Sequence, residues 1–408
     1  MSRRVVITAV GVFSALGNSP QEMLENIKLD RTAFARSAFD ASVIVCPVRD
    51  FDLRSVTGPF KERRYLNRGA QFCVAAAMKA LERSGLEEYE RERAGLFVGV
   101  GPNLDIGGEF PEIRGGDLNR PDLMALWILR FLPNTAAAII AKIGGVRAEN
   151  MTLTTACAAA LQAIGQAYRH IRHGYIDAAL AGGGDSRLSP GGVLAYKKAH
   201  AVFVGEGDPA QASRPFDKAR KGFVMGEGGA FFLLEELENA RRRGVKIYGE
   251  ICGFGASLDG YSLTDPEPTG KRAEAAVRQA LAEAETTMGE IDAVSAHGTG
   301  TIQNDDMEAA LIQRLAAGDG PFVMAPKSWI GHASAACGAL ELAVALACLE
   351  DNYLPGIRNL QDPCNQGVRF VREGATHPLR TLLIENFGFG GQNSALVVRK
   401  MEDGYDKN

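Results

Sequence analysis

Aromatic side chains are scarce in this sequence, at 7% of 408 positions, and only two of them are tryptophan. The mix allows a large core of close-packed helices and sheet built from Ala, Gly, Leu and Val. No apolar run approaches the roughly 18–20 residues of a membrane-spanning helix, which argues against a membrane-embedded chain. A basic excess is also missing. The 45 Lys and Arg face 49 Asp and Glu, a formal net charge of −4, whereas a general nucleic-acid binder carries the opposite balance. The seven cysteines include no C-x-x-C pair, so a zinc ribbon or dithiol redox motif is excluded, and reduced thiols in a cytoplasmic protein are expected. Low-complexity stretches are absent. The opening segment MSRRVVITAVGVFSALG alternates and then turns at Gly11, so it reads as a strand and turn rather than as a cleavable signal.

What the chain does have is small apolar residues: 46% hydrophobic overall and 47 glycines. It is long enough for two domains or one large α/β unit, and its elements recur in the same order on both sides of the charged, helix-like stretch LEELENARRRG (234–244). In the first half a helix pattern over 68–85 precedes a strand over 94–101. A strand and buried helix over 151–174 follow, then strands over 178–186 and 222–236. In the second half the matching segments are a helix over 272–285, a strand over 291–301, a buried helix over 331–352 and a closing hairpin over 381–400. Two loops, 205–217 and 263–271, interrupt the pattern. Alternating strands and helices predict α/β layers. Duplication predicts two like halves, 1–244 and 245–408, meeting at a pseudo-twofold axis, with a ligand cleft at their junction.

Chemistry-bearing residues gather at that junction. Cys157 stands in MTLTTACAAALQAIG, where a β-branched run turns into a buried helix. Unpaired N–H groups and the positive dipole of a helix start favour a thiolate or an oxyanion. Free cysteines are more often structural, and Cys157 alone does not settle the matter. His297, in SAHGTGT, ends a strand in a Gly/Thr turn. His332, in KSWIGHASAACGALE, precedes the second buried helix. If the halves face each other, both imidazoles converge on the thiol. His170, His173, His200 and His377 read as ordinary polar residues. The Gly-rich turn NFGFGGQN (386–393) lets backbone N–H groups approach a ligand, but no helix or Lys-Ser/Thr closes it as a phosphate loop. The stretch GVGPNLDIGG is equally weak as a dinucleotide fingerprint. His297, Asp305 and Glu308 lack metal-ligand spacing, so the two acids read as hydrogen-bonding supports and no metal is expected.

Taken together and in order, TTACAAA, RPFDKARKGFVMGEGG, HGTGTIQNDDMEA, PKSWIGHASAACGALE and NFGFGGQN make the chain resemble the elongating β-ketoacyl-acyl-carrier-protein synthases. The resemblance covers nearly the whole length. It implies the thiolase-like fold, two α/β halves in a five-layer αβαβα sandwich. It implies an acyltransferase that condenses an acyl-enzyme thioester with a malonyl carrier, extending the acyl chain by two carbons. Cys157 is similar to the acyl-accepting nucleophile, and His297 and His332 to the two histidines of malonyl decarboxylation. Lys327 matches the lysine before the second histidine, and Glu341 a buried acid that pairs with it. Phe389 matches the gating phenylalanine, whose N–H with that of Cys157 forms the oxyanion hole. Thr299 and Thr301 match the threonines of the pantetheine channel.

The resemblance further implies substrates carried on the phosphopantetheine of an acidic acyl carrier protein, with no other cofactor. Lys61, Arg63 and Arg64 are the candidate docking cluster. It implies a dimer, either of this chain with itself or with a related ketosynthase or chain-length-factor subunit, paired through the strand 148–156. Pro102 and Tyr196 fall where elongating synthases often carry Ile and Phe in the acyl pocket. Four positions depart from the family pattern: Ala158-Ala159-Ala160 after the nucleophile, Ile330 before Gly331-His332, Pro326 before Lys327, and Gln392 after the Gly-rich turn. None removes a catalytic group. They make a specialised type II polyketide or polyene ketosynthase, working with a Cys-less chain-length factor, the alternative to fatty-acid elongation.

Overall fold

Ten strands carry the alternating apolar pattern into two five-stranded sheets of the same topology, in a computed structural model that describes residues 3–104, 125–316 and 318–401. In chain order they are β1 Val5–Phe13, β2 Gly95–Gly99, β3 Asn150–Leu153, β4 Ala178–Ser186, β5 Met225–Glu236, β6 Gly249–Leu258, β7 Ala293–Ser295, β8 Phe322–Met324, β9 Thr381–Gly388 and β10 Gln392–Arg399. The first sheet runs β1-β5-β4-β2-β3 and the second β6-β10-β9-β7-β8. In each, the first three strands pair antiparallel and the last three parallel. A short antiparallel ladder, Val5–Ile7 on Gly249–Ile251, joins β1 to β6 across the pseudo-twofold axis. The charged stretch expected as one helix divides: residues through Glu236 finish β5, and only Leu237–Arg243 is helical. Leu233 and Leu234, fully buried in the sheet, outweigh local helix propensity.

Helices α1 (Arg68–Ser84) and α2 (Thr135–Gly144) cover the outer face of the first sheet. Helices α4 (Lys271–Glu283) and α5 (Ile302–Leu315) cover that of the second. Between the sheets lie α3 (Ala159–Arg172) and α6 (Cys337–Asp351), the two buried helices of the sequence pattern. The result is five layers, αβαβα. The middle layer depends on missing side chains. A Cβ on Gly165 would stand 2.2 Å from the Phe254 ring, and one on Gly338 2.5 Å from Leu161 Cβ. Small residues thus let α3 and α6 touch each other and both sheets, which is how a chain with few aromatics closes its core. No helix among the described residues is long and apolar enough to cross a membrane. Of the stretch GVGPNLDIGG, residues 105–108 lie outside the described residues.

Candidate active site

Each buried helix is entered through a tight 3-10 turn, and the two turns match residue for residue. Ala156 and Ser334 adopt left-handed φ angles of +48° and +49°. The Ala158 N–H then donates to the Thr155 carbonyl at 3.1 Å, and the Ala336 N–H to that of Ala333 at 3.0 Å. Non-glycine residues held at such φ cost on the order of 1–3 kcal/mol and mark functional turns. On this correspondence the twin of Cys157 is Ala335, and His332 lies three residues ahead of it.

Cys157, His297 and His332 converge. The cysteine sulfur and a nitrogen of each imidazole lie within 4.8 Å of one another, all buried. The trio lines a cavity that also takes in Tyr196, Phe223 and Phe389. The Phe389 N–H is directed at the Cys157 sulfur. The Cys157 N–H has no partner among the described residues. A Cβ on Gly388 would press to 3.0 Å from that nitrogen, so glycine there keeps the pair of N–H groups accessible.

The tautomer of each histidine follows from its partner. Ser334 N–H donates to His332 Nδ1 at 3.0 Å. The Lys327 ammonium, which can only donate, lies 3.1 Å from His297 Nδ1. Both Nδ1 atoms are therefore acceptors, and both Nε2 atoms carry the hydrogen. Burial, reinforced by the nearby Lys327 charge, drives His332 down to about 3 and His297 well below the ordinary imidazole value. The site thus holds two neutral imidazole donors. A metal ion on this trio would meet the Lys327 ammonium at close range.

Lys327 is itself fixed by an ion pair with Glu341, whose other oxygen accepts from Asn386 Nδ2 at 2.6 Å. Burial pulls Lys327 down, but Glu341 outweighs it and holds the ammonium above its ordinary value. Burial also pushes Glu341 up. The two donors on its two oxygens favour the carboxylate, and the pair is read as ionic. For Cys157, burial dominates and pushes the thiol up to about 11, against the pull of Lys327 and of the Phe389 N–H. Desolvation outweighs the local positive field here, a direction opposite to the one a helix start gives a thiolate.

Asp305 and Glu308, from the first turns of α5, hold the loop that carries His297. Glu308 accepts from the N–H groups of His297 (2.6 Å) and Gly298 (2.8 Å). Asp305 accepts from those of Thr299 (3.1 Å) and Phe216 (2.7 Å). Thr299 and Thr301, their hydroxyls 2.9 Å apart, line the way in from solvent with Asn304, Asp259 and Thr264.

The structure does not gather every candidate here. Pro102 is exposed and lines neither this cavity nor its neighbour among the described residues. The reason is that its carbonyl accepts from the buried Arg187, which fills the space beside it. Lys61, Arg63 and Arg64 lie on the turn before α1 in the outer layer, with Arg63 paired to Asp52 and Arg64 over the Tyr65 ring. None of the three lines the channel. Asn386, Asn304 and Glu385 escaped the sequence reading. Burial, with the charge of Glu308 beside it, keeps Glu385 a neutral acid. The first two stand inside quoted motifs, so only their partners were illegible.

Comparison with known proteins agrees with this geometry. Residues 2–240 match the model of the beta-ketoacyl synthase N-terminal domain and 248–361 that of the C-terminal domain. A 3-oxoacyl-[acyl-carrier-protein] synthase 2 from Coxiella burnetii is 35% identical over 98% of this chain and 99% of its own. A Streptomyces coelicolor protein of the actinorhodin polyketide system, named beta-ketoacyl synthase 1, is 34% identical over 98% of this chain and 90% of its own. Among solved structures, the ishigamide ketosynthase/chain length factor superposes with a TM-score of 0.87 at 29% identity, over 98% of this chain and all of that one.

Proposed function

The chain belongs to the β-ketoacyl synthase family, and we propose that its site loads an acyl group on Cys157 and extends it by two carbons in a decarboxylative Claisen condensation. The observation that carries this reading is the pair of neutral Nε2–H donors on His297 and His332, beside a buried thiol and two backbone N–H groups. In loading, Cys157 Sγ attacks the thioester of an acyl carrier, and the oxyanion is met by the N–H groups of Cys157 and Phe389. The thiol proton ends on the departing pantetheine sulfur. A malonyl thioester then enters past Thr299 and Thr301. Its carboxylate leaves as CO2, and the electron pair passes into an enolate whose oxygen is held by the two imidazole donors. The enolate carbon attacks the Cys157 thioester. The carbon–sulfur bond breaks, and Sγ takes up a proton to restore the thiol.

The same reading places the nucleophile in residues 1–244 and the two histidines in 245–408. It takes an acyl carrier protein as the source of both thioesters and a reducing, cytoplasmic setting for the seven free cysteines. It also makes β3 the dimer edge. Among the described residues β3 hydrogen-bonds on one side only, to β2, and is half exposed, so pairing with a second copy or a related subunit would complete its ladder. Sedimentation showing a stable monomer at micromolar concentration would overturn that part.

A specialised polyketide role is favoured over plain fatty-acid elongation by one observation. The cavity beside Cys157 is lined by the phenol of Tyr196 together with the Phe223, Phe387 and Phe389 rings, not by hydrocarbon alone. Intact-mass analysis tests the core reading. Incubation with acyl carrier should add the acyl mass to Cys157, and subsequent malonyl carrier should remove it and yield a product two carbons longer. An adduct that malonyl carrier fails to discharge would sink the condensing assignment.

A further inference from the structure

Cys337 opens α6, past the turn that carries His332, and is 1% exposed. It takes no part in the condensation. Its Sγ lies 3.6 Å from His332 Nδ1, within reach of a thiol hydrogen bond. The matched turns make Ala159, the first residue of α3, the twin of Cys337. They likewise make Thr154 the twin of His332. The first half therefore has neither the imidazole nor the thiol. The second half has both, in contact.

The direction of the bond follows from the ring. Nδ1 already accepts from the Ser334 N–H at 3.0 Å, so it carries no hydrogen to give to sulfur. Burial pushes the Cys337 thiol well above its ordinary value, against the pull of Lys327. The sulfur keeps its proton, and a thiol is a donor. An amide and a thiol thus meet one nitrogen. His297 is held differently, its Nδ1 facing the Lys327 ammonium at 3.1 Å, a charged and stronger donor. The His332 ring also lies against Phe223, their centroids 4.6 Å apart. An apolar face does not distinguish the two edges of an imidazole. The donors on Nδ1 do, because turning the ring over would set a C–H against both of them and leave them unpaired in a buried site. It would also withdraw Nε2–H from the cavity.

We propose that Cys337 is a positioning residue for His332, its S–H holding Nδ1 so that Nε2–H stays aimed into the Cys157 cavity. This rests on the condensing reading and adds a residue to its decarboxylation step. Donors on Nδ1 draw electron density from the ring and leave Nε2–H a better donor to the enolate oxygen. Loading, with its backbone oxyanion hole, does not draw on this contact.

The test measures malonyl-carrier decarboxylation and acyl loading in Cys337→Ala and Cys337→Ser, and reads the Cys337 S–H stretch by infrared difference against the wild-type protein. Cys337→Ala should lower kcat for decarboxylation about threefold to tenfold, with KM for the malonyl carrier and the loading rate unchanged. Cys337→Ser, whose hydroxyl donates from the same place, should recover most of that rate. The Cys337 S–H band should lie on the low-frequency, hydrogen-bonded side and move to the free-thiol position in His332→Ala. Decarboxylation at the wild-type rate in Cys337→Ala would overturn the proposal. So would a loss in Cys337→Ser equal to that in Cys337→Ala, or an equal fall in loading and decarboxylation, since either marks packing alone. An S–H band indifferent to His332→Ala would overturn it as well. A wild-type protein that decarboxylates no malonyl carrier would instead overturn the condensing reading and this role with it, while the infrared band still decides whether the bond exists.

Discussion

The turn at Thr155–Ala158 and its twin at Ala333–Ala336 have the same backbone and opposite duties. Both are held by one left-handed residue, both open a buried helix, and both direct N–H groups toward the junction of the halves. In the second turn those groups are used up internally. Ser334 N–H fixes the His332 ring and Ala335 N–H is taken by Asp185. In the first turn the N–H of Cys157 has no partner among the described residues, and Cys157 lines the cavity. Duplication supplied one strained shape twice. The partners of its donors distinguish the copy that carries the cysteine from the copy that positions a histidine.

The largest effect should come from exchanging the copies. Cys157→Ala is expected to abolish the acyl adduct seen by intact mass. Adding Ala335→Cys should not restore it, because Asp185 already occupies the Ala335 N–H and no oxyanion donor remains there. An adduct on the double variant would break the comparison.

Next come the histidines, both in the second half. His297→Ala and His332→Ala should each lower malonyl decarboxylation about 10²–10³-fold, the usual cost of one oxyanion donor. Acyl loading should fall less, since its oxyanion hole is backbone. Decarboxylation and pulse-labelled loading, measured side by side, separate the two, and normal decarboxylation with failed loading would reverse the assignment.

The third prediction concerns the thiol. With Cys157 at about 11, its thiolate fraction rises about tenfold per pH unit below that value. Iodoacetamide alkylation at Cys157 should rise accordingly from pH 7 to 9 without levelling, and ahead of the other six cysteines, none of which lines the His297–His332 cavity. A plateau near pH 7 would show a thiolate at rest. The smallest effect is expected from Gly388→Ala, whose Cβ would crowd the Cys157 N–H at 3.0 Å. A loss of about 1 kcal/mol, roughly fivefold in loading rate, is expected. An unchanged rate would mean that the first turn yields as readily as its twin.

Much of this was legible before folding. The repeat order, the two buried helices and the trio Cys157, His297 and His332 follow from motifs whose residue types must be near one another to work. Glu308 and Asp305 were identifiable as supports because they follow His297 by about one helical turn past a Gly/Thr loop. For Pro102 the position in the chain was clear but the neighbour was not. Arg187, 85 residues away, donates to the Pro102 carbonyl. For Lys61, Arg63 and Arg64, likewise, a charge run fixes a composition and not the face on which it lies.

The amino-acid sequence by itself determined the duplicated α/β layers, the close packing of small residues and which cysteine and histidines meet at the junction. Those depend on local periodicity, residue size and functional-group chemistry, all of which a chain carries along its length. Only the tertiary structure decided the protonation state of Cys157, the tautomers of both imidazoles and the partners of Asp185 and Arg187. Each of these is set by desolvation and by donors brought from distant segments, and neither exists until the two halves close on each other.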